Sequence, residues 1–303
     1  MSTPSDTPVP SPEWGEHQRL SMADGASLLV RRAGPPDGPT ILCLSRHGGN
    51  GLEFGRLAAR LGDRFHVVAL DRRGHGRSDY LPTDRSYSIQ QFTSDLLSVI
   101  DQLGIRRASG IGVSLGGLML GMLHEARPDL LRAAVLVDIG PENRPPDSME
   151  EMAARMQRLR ALLTGVYDGA EEMRAAWREV QSDQWPNVSD DEWAYSTACC
   201  TEQSADGTWR FAADVDGFMN RQPAEAPPDY WPSWKRLSTE VPTMLVHGEL
   251  SNVLSAEIAG TMIAGTDVRL VTVEGIGHCP IIDVDPPSAA IDEFLTTGAD
   301  RDG

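Results

Sequence analysis

The sequence predicts an α/β fold, with a mostly parallel central sheet, helices on both faces and an inserted helical cap. Two observations carry this. Short apolar runs alternate with segments of helical spacing from about residue 26 to 138, and the alternation resumes at 243 after a long interruption. Strand–helix–strand order at this spacing needs crossover connections, and right-handed crossovers build a parallel sheet covered on both sides.

Residues 1–19 are expected to form a disordered tail. Their first part is rich in Ser, Thr and Pro and lacks the basic-then-apolar order of a secretory leader. Runs 26–32 and 40–44 flank Gly34-Pro35-Pro36-Asp37-Gly38, which reads as a hairpin-like opening. Helical spacing follows over 52–61, then a buried strand over 65–70. Phe92, Leu96, Leu97, Ile100 and Leu103 mark a helix over 89–103. A strand at 108–113, a helix at 115–126 and a strand at 133–138 complete the first half.

After Gly140-Pro141-Glu142 the pattern changes. Residues 144–235 read as helical or irregular, with no strong strand, and hold six of the seven tryptophans. The expected division is a core of 20–143 and 236–298, interrupted by a cap of 144–235. Strand 243–247, helix 256–263, strand 268–273 and helix 288–295 close the core.

A net charge of −17 argues against a nucleic-acid or anionic membrane partner, since both need a clustered basic surface. No run of about 18 apolar residues exists to span a bilayer. A cytoplasmic location is the expectation. The four cysteines, Cys43, Cys199, Cys200 and Cys279, have neither zinc-site nor redox spacing and are expected as buried free thiols. No cofactor or metal is expected. Oligomeric state is not legible.

Gly112-Val113-Ser114-Leu115-Gly116 matches G-x-S-x-G between a strand and a helix. A tight strand-to-helix turn crowds the backbone around the serine, so glycine flanks it where a Cβ would clash. The turn lifts the hydroxyl above the sheet edge. The Leu115 N–H then opens the helix, where backbone donors favour a developing oxyanion. A nucleophilic Ser114 is the expectation.

With this turn, three further segments resemble the α/β-hydrolase superfamily, in particular bacterial 3-oxoadipate enol-lactonase-like hydrolases. They are Asp71-Arg72-Arg73-Gly74-His75-Gly76-Arg77-Ser78-Asp79, Val137-Asp138-Ile139-Gly140-Pro141-Glu142 and Gly275-Ile276-Gly277-His278. The resemblance spans about residues 20–297. It implies a triad in the order serine, acid, histidine, with His278 as general base. It also implies that His75 and His247 are structural. The acid usually follows the strand at 243–247, at the place of Ser251 or Asn252, and neither is acidic. Asp138, at the end of an earlier strand, is the favoured substitute. Glu249, or no working acid, are the alternatives. For the second oxyanion N–H the resemblance offers two registers on Ser45-Arg46-His47-Gly48-Gly49-Asn50, one choosing His47 and the other Gly49. His47 is preferred.

The expected function is serine hydrolysis of a small apolar carboxylic ester or lactone through an acyl-enzyme. Trp231 and Trp234 are the candidate substrate-binding residues, because ligand pockets are mostly apolar. A C–C bond hydrolase, a cofactor-free oxygenase and a non-catalytic ligand-binding relative are the alternatives. Ser114 argues against epoxide hydrolases and dehalogenases of this fold, which need a carboxylate nucleophile.

Overall fold

The computed structural model describes residues 14–81, 87–142, 149–219, 229–279, 282–283 and 286–299. Eight strands form one sheet: β1 (Glu16–Ser21), β2 (Ser27–Ala33), β3 (Thr40–Leu44), β4 (His66–Leu70), β5 (Ala108–Val113), β6 (Leu131–Val137), β9 (Thr243–Gly248) and β10 (Arg269–Val273). Their spatial order is β1-β2-β4-β3-β5-β6-β9-β10. From β4 to β10 every pairing is parallel, whereas β2 runs antiparallel to both of its neighbours.

The central strands are apolar nearly throughout because helices cover both faces. Alternate residues serve the two layers. Leu42 and Leu44 of β3 join α2 (Ile89–Gln102), α3 (Leu115–Ala126), α8 (Trp231–Glu240) and α9 (Ala256–Ile263) in one core cluster. Ile41 and Cys43 join α1 (Gly55–Leu61) and α10 (Pro287–Ala299) in the other. The insert, built from α4 (Met149–Thr164), α5 (Ala170–Gln181), α6 (Asp190–Cys200), β7 (Thr201–Gln203), β8 (Trp209–Phe211) and α7 (Val215–Met219), has a core of its own around Trp177, Trp185 and Trp193. No helix among the described residues is long and apolar enough to cross a membrane.

The structure corrects three sequence expectations. The opening is not a hairpin of β2 and β3, because β4 lies between them. The reason is local: a Cβ on Gly34 would lie 2.1 Å from Phe65 O, so the end of β2 abuts the start of β4. The expected tail of 1–19 is too long, since Glu16 to Arg19 pair with β2. That edge strand is polar, with Leu20 its one buried residue, so it carries no strand-like apolar signal. The first thirteen residues of the expected tail lie outside the described residues.

The insert is mainly helical as expected, and within it β7 and β8 pair as a small antiparallel ribbon. Its expected boundary at 235 falls inside α8, which belongs to the core. There Gly121 of α3 admits α8 so closely that a Cβ would lie 2.8 Å from Ser233 Oγ. Trp234 sits in the same core cluster as Leu120 and Leu136.

Candidate active site

Ser114 stands between β5 and α3 with φ 51° and ψ −117°, a backbone conformation that a side-chain-bearing residue rarely adopts. The flanking glycines permit it. A Cβ on Gly112 would lie 2.3 Å from Gly116 O, and one on Gly116 would lie 2.1 Å from Leu44 O. The Ser114 N–H donates to Val137 O at 2.8 Å, which ties the turn to β6. Leu115 opens α3, where the first-turn N–H groups have no partner within the helix.

His278 follows β10. Its Nε2 lies 3.0 Å from Ser114 Oγ, and its Nδ1 lies 2.7 Å from Asp138 Oδ2. The structure therefore brings Ser114, His278 and Asp138 into one hydrogen-bonded line. Gly248 makes the approach possible: a Cβ there would lie 2.4 Å from Gly277 O.

Asp138 is fully buried at the end of β6 with φ 53°. Its Oδ1 accepts from Gly248 N at 2.9 Å, and its Oδ2 also accepts from Ser251 Oγ at 2.6 Å. Ser251 occupies the turn from which an acid was expected by resemblance. Its hydroxyl oxygen also accepts from Val253 N and Leu254 N, so it is held in place while it donates to Asp138. Glu249 is exposed and accepts from Gly275 N at 2.8 Å, which pins the loop before His278. The carboxylate bonded to the ring is that of Asp138. Burial works against the charged form of His278, but the adjacent Cys279 sulfur and the Asp138 carboxylate outweigh it. The net direction is up from the usual histidine value.

The segment after β3 turns tightly, with Gly49 N donating to Arg46 O at 3.1 Å and Gly48 at φ 75°. That bond occupies the Gly49 N–H, one of the two donors the sequence left open. His47 is exposed, with its ring 5.8 Å from that of His75. Arg46 is anchored by an ion pair to Glu53 at 2.8 Å. Beside this turn lies a pocket between core and insert, walled by Phe54, Val113, Trp185, Tyr195 and Cys279. Among the described residues no cluster of His, Cys, Asp and Glu could hold a metal ion.

Residues 41–293 match the model of the alpha/beta hydrolase family. The chain belongs to that family.

Among individual hydrolases of this family, it is 28% identical to 3-hydroxybutyrate-oligomer hydrolase from Cupriavidus necator, over 95% of this chain and 99% of that one. It is also 28% identical to 2-(acetamidomethylene)succinate hydrolase from Mesorhizobium japonicum, over 83% of this chain and 85% of that one. A crystal structure of an alpha/beta hydrolase from Novosphingobium aromaticivorans superposes with a TM-score of 0.83 at 31% identity, covering 93% and 98% of the two chains.

The tryptophans of this alpha/beta hydrolase are arranged differently from expectation. The structure does not bring Trp231 and Trp234 to Ser114. Trp234 is 6% exposed in the α3–α8 layer and donates from Nε1 to Met262 O at 3.1 Å. Trp231 donates to Glu142 Oε2 at 3.3 Å. Both belong to a helix of the core, so their rings pack the sheet layer rather than the insert.

The insert reaches the site through residues that the sequence reading did not single out. Gln184 accepts from His278 N through Oε1 at 3.0 Å, and its main-chain oxygen accepts from Gly277 N. Trp185 Nε1 donates to His278 O at 3.1 Å. No spacing rule links positions so far apart in the chain, so nothing local in the sequence marks them.

Proposed function

We propose that this hydrolase cleaves a small, largely apolar carboxylic ester or lactone through an acyl-enzyme on Ser114. The observation that carries the reading is the continuous line from Ser114 Oγ to His278 Nε2 and from His278 Nδ1 to Asp138 Oδ2, at 3.0 and 2.7 Å. His278 takes the hydroxyl proton as Ser114 attacks the carbonyl carbon. The Leu115 and His47 N–H groups bind the resulting oxyanion. His278 then gives its proton to the departing alkoxide. A water molecule repeats the sequence on the acyl-enzyme, releasing the acid and regenerating Ser114. Asp138 holds the ring with Nε2 free to accept and stabilises the imidazolium. Similarity to a hydrolase of 3-hydroxybutyrate oligomers, which are esters, supports an ester bond as the scissile group.

The test is a panel of aryl esters and lactones with the purified protein, together with a fluorophosphonate probe. Hydrolysis and labelling are expected for the native chain. Both should vanish in Ser114→Ala, with a loss in turnover of about 10⁶. Oxygen uptake or diketone cleavage without ester turnover would favour oxygenase or C–C bond chemistry instead. A native chain that neither labels nor turns over would favour a ligand-binding protein.

A further inference from the structure

Arg72 has no role in the reaction described so far, and its surroundings are unusual for a buried cation. It lies just after β4 and is 1% exposed. Burying a guanidinium is unfavourable unless a carboxylate compensates it. The two other buried arginines follow that rule. Arg31 pairs with Asp71 at 3.0 Å, and Arg73 pairs with Asp24 and Asp95 at 2.6 and 2.8 Å.

Among the described residues Arg72 makes no ion pair; the Glu53 carboxylate, itself paired with Arg46 at 2.8 Å, acts on it only through space. Its Nη2 donates to the main-chain oxygen of Arg46 at 2.6 Å. Its Nη1 lies 3.9 Å from Met119 Sδ, and the guanidinium carbon stands 5.2 Å from the centre of the Phe92 ring. Among the described residues its buried Nε has no hydrogen-bond partner. Burial pushes its pKa down to about 10, which leaves it charged at neutral pH. A fixed positive charge is thus held beneath the turn that follows β3.

We infer that Arg72 is a positioning residue for the oxyanion site, acting through the peptide that joins Arg46 to His47. This rests on the reading of His47 N–H as an oxyanion donor. The carbonyl of Arg46 and the N–H of His47 belong to one planar trans unit, so they point in opposite directions. Two donors hold that carbonyl, Arg72 Nη2 at 2.6 Å and Gly49 N at 3.1 Å. Turning the His47 N–H out of line would break both bonds. The charged donor also polarises the unit, which makes the His47 N–H a stronger donor to negative charge. An apolar residue could fill the same volume, but it could supply neither the orientation nor the charge.

The experiment measures the rate of fluorophosphonate labelling at Ser114 in the full chain. The phosphonyl oxygen of that probe requires the oxyanion donors whatever the natural substrate is. Arg72→Met keeps length and removes charge and donor. Arg72→Lys keeps charge and a single donor, and Arg72→Gln keeps a donor without charge. Arg72→Met is expected to label about 10²–10³ times more slowly, the usual effect of losing one oxyanion donor. Its kcat on an aryl ester should fall in parallel, with KM nearly unchanged. Arg72→Lys should recover much of the loss and Arg72→Gln less.

Thermal unfolding of each variant separates this role from simple folding. If Arg72→Met fails to fold, the lysine and glutamine variants decide. Loss in both the charge-retaining and the donor-retaining variant only in proportion to lost folded protein would overturn the inference. Folded Arg72→Met that labels as fast as the native chain would also overturn it. A native chain that does not label would instead sink the serine-hydrolase reading, and with it the basis of the inference.

Discussion

Asp138 shows how one side chain can decide the chemistry of another. Its Oδ1 is committed to Gly248 N, so in Asp138→Asn the amide oxygen must keep that place. The NH₂ group then faces His278 Nδ1 and forces the proton onto Nε2, where the ring can no longer accept from Ser114. Turnover should drop by about 10⁴ while the protein stays folded. Steady-state kinetics beside a thermal melt would check this. An effect below tenfold would mean that Asp138 is not the acid. The pH profile carries a second consequence. His278 must be neutral to act as base, and its site holds the proton above the ordinary histidine value of 6.5. The rise of kcat/KM with pH should therefore lie above that value in the native chain. In Asp138→Asn the rise should move down, because the carboxylate that favours the imidazolium is gone. A native profile already flat by pH 6 would contradict that direction.

At the scale of elements, α8 and the insert divide what the sequence reading assigned to one cap. Trp234 fills the layer between α8 and α3, with its N–H spent on Met262 O. Trp234→Ala should cost about 3–5 kcal/mol of stability, as removal of a buried aromatic ring does. The ratio of turnover on bulky and small esters should stay within about twofold, since the ring packs in the core layer between α3 and α8. Urea unfolding and a two-ester assay would test this pair of outcomes. A large change in the ratio at full stability would return Trp234 to substrate recognition. The segment after α5 meets the site through Gln184 and Trp185 on the backbone around His278, and α6 adds Tyr195 to the pocket wall.

Across the whole molecule, Asp71 ties β2 to the 51 turn and to the 71–79 run. Fully buried, it accepts from Arg31 of β2 at 3.0 Å, from Gly51 N at 2.8 Å and from Arg77 N at 3.0 Å. A Cβ on Gly76 would lie 2.3 Å from its Oδ2, so the 71–79 run closes tightly around the carboxylate. Removing one member of a buried ion pair leaves the other charge uncompensated, at a cost of about 3–5 kcal/mol. Asp71→Ala should lower the unfolding free energy by that amount, measured by denaturant titration. The double variant Asp71→Ala with Arg31→Met should cost less than the two single changes added together. Strict additivity would show that the pair is not coupled.

What the sequence alone determined was local. Strands buried on both faces betray themselves as nearly unbroken apolar runs, so β3 and β4 were legible, and glycines around Ser114 marked a turn that only they allow. The resemblance, with no acid at Ser251 or Asn252, left Asp138 favoured and Glu249 as an alternative. Tertiary structure decided everything that depends on which segments become neighbours. It placed β4 between β2 and β3, gave β1 an edge that needs no apolar pattern, and made Ser251 a donor to Asp138. It also separated tryptophans of the core from tryptophans of the insert. Burial of a large ring is equally favourable in either place, so composition cannot tell them apart, whereas the contacts of α8 with α3 can.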